Sequence, residues 1–247
     1  MRVTFLEHSG FLVELPSVSL LFDWWRGKLP ELAEEKPLYV FASHSHPDHF
    51  LPAVFALDDG RRDVRFLLGN DIRLNARNLE KWGVSAETAE RCQVLKGGQT
   101  CALPRANVET LSSTDEGVAF LVSADGQVLF HAGDLNWWHW EGEDKAWNNN
   151  MAANFKRYAE PLRGRKIDLA MFPLDARLHE AGFWGPEYFL KLAAVRRFLP
   201  MHQWNEFSFT AEFLAAHPEF AEQTVLVEGN GQVFNFRDAG KEEGYAV

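Results

Sequence analysis

Cysteine is scarce in this chain of 247 residues, which has only Cys92 and Cys101. They stand too far apart for a CxxC redox or metal pair. They flank Gly97-Gly98, which reads as a hairpin turn and leaves cross-strand proximity open, but two buried thiols in a reducing cytosol is the expected state. Also lacking is any apolar run near the roughly 18 residues needed to span a membrane. The opening Met-Arg-Val-Thr-Phe breaks at Glu7-His8-Ser9 with no apolar signal region. These absences predict a soluble, cytoplasmic protein with no membrane partner. Positive charge is in deficit, with 25 Lys and Arg against 35 Asp and Glu. Counterion release needs clustered basic residues, so no nucleic-acid partner is expected. The short clusters Arg61-Arg62 and Arg163-Gly164-Arg165-Lys166 read as solvated loop charge. There is no short-period repeat and no low-complexity segment.

What the chain does have is apolar and aromatic mass: 46% hydrophobic residues, nine Trp and twenty Phe. A chain of this length buries a substantial core as one large α/β domain or two small ones; one domain over residues 1–247 is the expectation. Strand-like runs open it: Val3 to Leu6, Phe11 to Leu15 and Val18 to Phe22, parted by turn residues Ser9-Gly10 and Pro16-Ser17. Leu38 to Ala42 is wholly apolar, as in a central strand covered on both faces. A short helix near Pro52 to Leu57 and a strand Val64 to Leu68 follow. Ile72 to Trp82 reads as a helix capped by Asp71 and stopped by Gly83. Short strands return from Gln93 to Phe130. Helices are predicted over Lys145 to Leu162 and Pro186 to Phe198, with a short one capped by Thr210. Strands are predicted at Ile167 to Phe172, Thr224 to Val227 and Gln232 to Phe236. Strands grouped before helices in each half suggest two packed sheets with helices outside, an α/β (α+β) architecture.

The chemistry concentrates in Ser43-His44-Ser45-His46-Pro47-Asp48-His49, directly after the buried strand. Three imidazoles and a carboxylate supply donors suited to zinc, iron or manganese. Histidines at i and i+2 in extended chain project from one side, while Asp48-His49 turns toward a neighbouring position. The arrangement suits two metals better than one.

His44-x-His46-x-Asp48-His49 resembles the signature of the metallo-β-lactamase fold superfamily of hydrolases. The segment from Phe5 to Asp23 resembles the start of its lactonase-like branch, of the L-ascorbate-6-phosphate lactonase-like kind, where a Gly-Phe-Leu-Val strand leads to a strand ending in Asp. The similarity runs from Val3 to His202. It implies a four-layer αββα sandwich with metals held by loops at one edge of the sheets. It also implies a metal-bridging role for Asp134, after the strand Gln127 to Phe130, and a last ligand in His202, after Leu199-Pro200-Met201. The metal set is thus His44, His46, Asp48, His49, Asp134 and His202, for up to two ions, with zinc expected and manganese or iron as alternatives.

The sequence departs from that pattern once. A further histidine belongs near the end of a strand like Val108 to Leu111, yet no histidine lies between His49 and His131. Asp115 is a candidate replacement, since carboxylates ligate zinc and manganese well; Ser112, Ser113 or a water are the others. His8, at a strand-to-strand turn, is expected to be structural, and His131 to support the ligands without joining them. His179 and His217 have no assigned role. Trp137, Trp138, His139 and Trp140 follow Asp134 and are candidates to wall a substrate pocket. The alternative is that these indoles fill space beneath the long helix.

The expected activity is hydrolysis of a small ester, lactone or phosphodiester by a metal-bound hydroxide, with Asp48 orienting the nucleophile or receiving its proton. A small molecule is the expected partner; oligomeric state is open. The alternative is a metal- or ligand-binding protein that lost catalysis with its third imidazole. Redox use of iron would need partners no sequence element supplies.

Overall fold

A computed structural model describes residues 1–237; the part of the expected 1–247 domain beyond residue 237 lies outside the described residues. Seven strands form the first sheet, in the order β15-β1-β2-β3-β4-β5-β6. They are β1 (Arg2–Glu7), β2 (Gly10–Glu14), β3 (Ser19–Phe22), β4 (Leu38–Ala42), β5 (Val64–Gly69), β6 (Cys92–Leu95) and β15 (Val233–Asn235). The second sheet has the order β14-β12-β10-β9-β8-β7. Its strands are β7 (Thr100–Leu103), β8 (Ala106–Ser112), β9 (Val118–Ala124), β10 (Gln127–His131), β12 (Leu169–Pro173) and β14 (Phe198–Met201). The short strands β11 (Lys166–Ile167) and β13 (Ala194–Val195) pair with each other.

The two-residue period of the first sheet sorts its side chains into two cores. Phe11, Val13, Leu20, Phe22, Tyr39, Phe41 and Leu67 face the second sheet and join Val108, Phe120, Val122, Leu129 and Met171 in the main cluster. Leu12, Leu21, Val40, Phe66 and Leu68 face outward and pack with Phe55 and Trp82. Trp82 ends helix α1 (Ala76–Trp82), which with α2 (Ala86–Glu90) follows β5. Helices α3 (Lys145–Ala159) and α4 (Trp184–Leu192) bring Phe155 and Phe189 against the second sheet, and α5 (Phe209–Ala216) adds Phe213. The result is the αββα sandwich that the sequence predicts. No described helix is long and apolar enough to cross a membrane.

Some local expectations are corrected. Gly97-Gly98 is not a hairpin turn: β6 pairs with β5 and β7 with β8, so this segment crosses from one sheet to the other. Cys101 is buried and Cys92 half-buried, and both are free. Asp71 does not cap a helix; its Oδ2 accepts from the Ser45 amide at 2.7 Å, and Asn75 caps α1 instead. The helix expected over Pro186–Phe198 ends at Leu192, because Val195 and Phe198 enter parallel pairings with Ile167 and Ala170. Thr210 lies inside α5 and accepts from Gln203 Nε2 at 2.8 Å. The expected strand Thr224–Val227 reduces to a single bridge between Thr224 and Phe198.

Candidate metal centre

Apolar strands end at one edge of both sheets and hand over to polar loops. There the structure gathers two groups of four donors, each with its ligand atoms within 4.8 Å of one another: His44, His46, Asp115 and Asp134, and His8, Asp48, His49 and His202. The six residues singled out as metal candidates are all present. Asp115 completes the first group, whereas Ser112 and Ser113 belong to neither; Ser113 Oγ accepts from the Asp115 amide at 3.2 Å. His8, expected to be structural, stands in the second group with its Nε2 3.3 Å from Asp48 Oδ2.

Asp134 lies between the groups. Its Oδ1 is 3.2 Å from His49 Nε2 and 3.6 Å from His202 Nε2, while its Oδ2 is 3.5 Å from His44 Nε2. The far nitrogens of these histidines are each held. His49 Nδ1 donates to Asp23 Oδ2 at 2.7 Å and His202 Nδ1 to Asp175 Oδ2 at 2.9 Å. Ser43 Oγ donates to Asp23 Oδ2 at 2.6 Å and so accepts from His44 Nδ1 at 2.9 Å. Orienting Nδ1 in this way presents Nε2 as a lone-pair donor, as metal-ligating histidines require. The Nε2 atoms of His8 and His49 and the Oδ1 of Asp134 are buried without a hydrogen-bond partner among the described residues. Buried polar atoms left unsatisfied are costly, and cations at the two groups would satisfy them. The residues fit metal ions.

The protonation states agree with this. Burial, reinforced by His202 and His49, pushes His8 down to about 4; burial, with His49 beside it, does the same to His44. Both imidazoles are therefore neutral near pH 7. Burial pushes the other way on Asp134, but His49 and His202 outweigh it and hold the carboxyl well below its usual range. Burial also opposes charge on His49, yet Asp134 and Asp23 on either side raise it; a metal ion must displace that proton. Burial and the nearby Asp134 raise Asp115.

Close packing sets the loop shapes. Gly117 has φ +63°, and a Cβ there would stand 1.9 Å from the Ser43 carbonyl oxygen. Gly133 has φ +52°, and its Cβ would stand 2.6 Å from the Ser43 Cβ. Both glycines let second-sheet loops press on the loop after β4. His8, Asp23 and His202 also take positive φ, a region where Asp and His are enriched among non-glycine residues. The His202 amide donates to the His8 carbonyl at 3.1 Å, tying the β14 end to the β1–β2 turn.

A cleft of about 250 Å³ opens over the groups, lined by His46, Asp48, Asp115, Asp134, His202 and a wall that includes Trp138, Trp140, Arg177 and Trp204. The extended stretch after Asp134 alternates. Trp138 and Trp140 stack in parallel, with centroids 6.2 Å apart, on the cleft side. Trp137 and His139 face the other way and meet Trp184, at 5.6 and 4.8 Å. Their expected place in the substrate wall is corrected by this two-residue period: Trp137 lines a separate cavity with Trp184 and Tyr188, and His139 belongs to neither donor group. His131 supports the core, stacking on Phe22 at 5.1 Å, with Nε2 2.9 Å from the Ser9 carbonyl. Sequence reasoning missed Asp175 and Arg177, which lie in a helical turn without a metal-type spacing. Asp23 was visible only as the strand-end Asp of the Phe5 to Asp23 resemblance.

The pattern of the β-lactamase superfamily domain matches residues 2–144. A UPF0173 metal-dependent hydrolase from Opitutus terrae is 29% identical over 156 residues, which cover 54% of this chain. The match spans 63% of that relative, less than two thirds of its length. Among solved structures, Igni18, a novel metallo hydrolase from Ignicoccus hospitalis, superposes with a TM-score of 0.61 at 18% identity, covering 96% of this chain and 99% of that one. CmlA, a diiron β-hydroxylase from Streptomyces venezuelae, superposes with a TM-score of 0.65 at 9% identity, covering 95% of this chain and 54% of that one. At such identities the likeness is one of fold.

Proposed function

We propose that the chain, which belongs to the β-lactamase superfamily domain family, is a metal-dependent hydrolase whose two donor groups would each hold an ion, with Asp134 between them. The observation that carries this reading is the convergence of both groups on Asp134, with buried ligand atoms around it that make no hydrogen bond among the described residues. Three imidazoles and one carboxylate at the His8 group suit zinc; two of each at the His44 group also suit manganese or iron. When bound, such cations supply Lewis acidity and lower the pKa of water toward neutrality.

The chain's own residues do the rest. Asp48 is half-buried at the cleft floor. Burial acts to raise it, but His8 and His49 outweigh burial and keep it ionised, so it is fit to orient a nucleophilic water or receive its proton. Trp138, Trp140 and Trp204 exclude water from one wall and offer indole faces to an apolar substrate body. The cleft suits a small ester, lactone or phosphodiester, and the resemblance of Phe5 to Asp23 to the lactonase-like branch favours a lactone.

The alternative is a metal-binding protein without turnover, and the exposed carboxylate of Asp115, standing where an imidazole is expected, favours it. Elemental analysis of protein purified without added metal, paired with assays on p-nitrophenyl acetate, bis-p-nitrophenyl phosphate and a simple lactone, separates the two. Two equivalents with chelator-sensitive turnover support the hydrolase. One equivalent or none, with no turnover after metal is added back, would overturn it.

A further inference from the structure

Arg177 is the only Lys or Arg among the described residues lining the cleft. Its guanidinium is fixed on three sides. Nη2 donates to Asp175 Oδ2 at 2.6 Å and Nε to Asp175 Oδ1 at 3.0 Å, and the Arg177 amide donates to the same Oδ1 at 2.9 Å. The guanidinium carbon stands 4.8 Å from the Trp204 ring centre and 5.4 Å from that of Trp140, so two cleft indoles hold it. Asp175 is completely buried and anchored by His202 as well. The side chain of Arg177 nevertheless stays 46% exposed, and its Nη1 has no hydrogen-bond partner among the described residues. A long flexible cation loses rotamer entropy when held this tightly. Here it leaves a fork of N–H donors open at the mouth of a cleft that otherwise offers carboxylates, imidazoles and indoles.

We propose that Arg177 is the anion anchor of the substrate site, and that the substrate carries a phosphate or carboxylate group on an apolar or aromatic body held by Trp140 and Trp204. This rests on the hydrolase reading for the word substrate, but the anchor is a binding property that stands apart from turnover. Guanidinium groups pair with phosphate and carboxylate through paired N–H donors. The rigid seat on Asp175 means the anion meets a donor already in place, and the indole faces give the body of the ligand a surface on which to stack. Arg177 therefore selects among small esters and lactones for those bearing a negative charge.

The test is calorimetric titration of the metal-loaded protein with phenyl phosphate, benzoate and neutral benzyl alcohol, in wild type and Arg177→Gln at equal measured metal content. Losing charge-assisted hydrogen bonds should weaken one or both anions about tenfold or more and leave benzyl alcohol unchanged. The anion that loses more identifies the group as phosphate or carboxylate. Anion affinities within about twofold of wild type would overturn the assignment. If Arg177→Gln does not hold its metal, Arg177→Lys, which keeps the positive charge but presents no paired N–H fork, decides by the same comparison. An absence of turnover on every ester and lactone, with anion binding still dependent on Arg177, strikes the hydrolase reading alone.

Discussion

Oδ2 of Asp23 lies 2.7 Å from Nδ1 of His49, and both side chains are completely shut off from solvent. The same carboxylate accepts from the Ser43 amide at 2.7 Å and from the Ser43 hydroxyl at 2.6 Å. One buried acid at the end of β3 thus fixes both the start of the histidine loop and the orientation of one of its imidazoles.

Asp23→Ala should lower metal affinity by about 10- to 100-fold, the usual cost of removing a carboxylate behind a ligating histidine. Competition with a chromophoric chelator measures it. Wild-type affinity in this variant would show that His49 needs no such support.

Asp115→Ala should empty one position before the other. Metal content after dialysis is expected to fall from two equivalents to about one, since the four donors of the first group drop to three, two imidazoles and Asp134. Retention of both ions after dialysis would remove Asp115 from the ligand set.

Asp48→Ala should abolish turnover of any verified substrate while moving the thermal midpoint of the metal-free protein little, because the side chain sits partly exposed in the cleft lining rather than in the core. Full activity in this variant would take the proton-handling role away from Asp48.

Gly117→Ala should destabilise the protein by more than about 1 kcal/mol, since alanine is strained at positive φ and its Cβ would strike the loop after β4. Denaturant unfolding gives the value. A change below about 0.5 kcal/mol, the scale of an ordinary surface substitution, would mean that the loop yields easily.

Much of the centre was legible because its ligands follow apolar strands and cluster in sequence: His44 to His49, then Asp134 and His202 each at a strand end. Asp115 was legible by position, as a carboxylate where an imidazole is missing. His8 was not, because a lone histidine in a turn has no partner spacing; its place is revealed by the pairing of its carbonyl with the His202 amide and by its contact with Asp48. Asp175 and Arg177 escaped for a related reason, since their partners are remote in the chain or local to a turn. The fold read well where strands alternate, as in β1 to β4. It read poorly at Gly97-Gly98, where a local turn signal carries no information about which sheet the next strand joins. Trp138 and Trp140 stand on the cleft wall as expected, but the parity of an extended segment sends Trp137 and His139 the other way.

Each donor group draws on both layers of the sandwich. His8, Asp48 and His49 come from loops of the first sheet and His202 from the second; His44 and His46 come from the first, Asp115 and Asp134 from the second. A chain with only one layer formed has an incomplete set at either position, so ion retention depends on the docking of the two sheets. Any ion that binds the docked form adds to its stability by mass action. On the metal reading proposed above, metal content would therefore be a gauge of assembly: in a mixed population, the molecules that kept ions would be those whose halves have closed correctly.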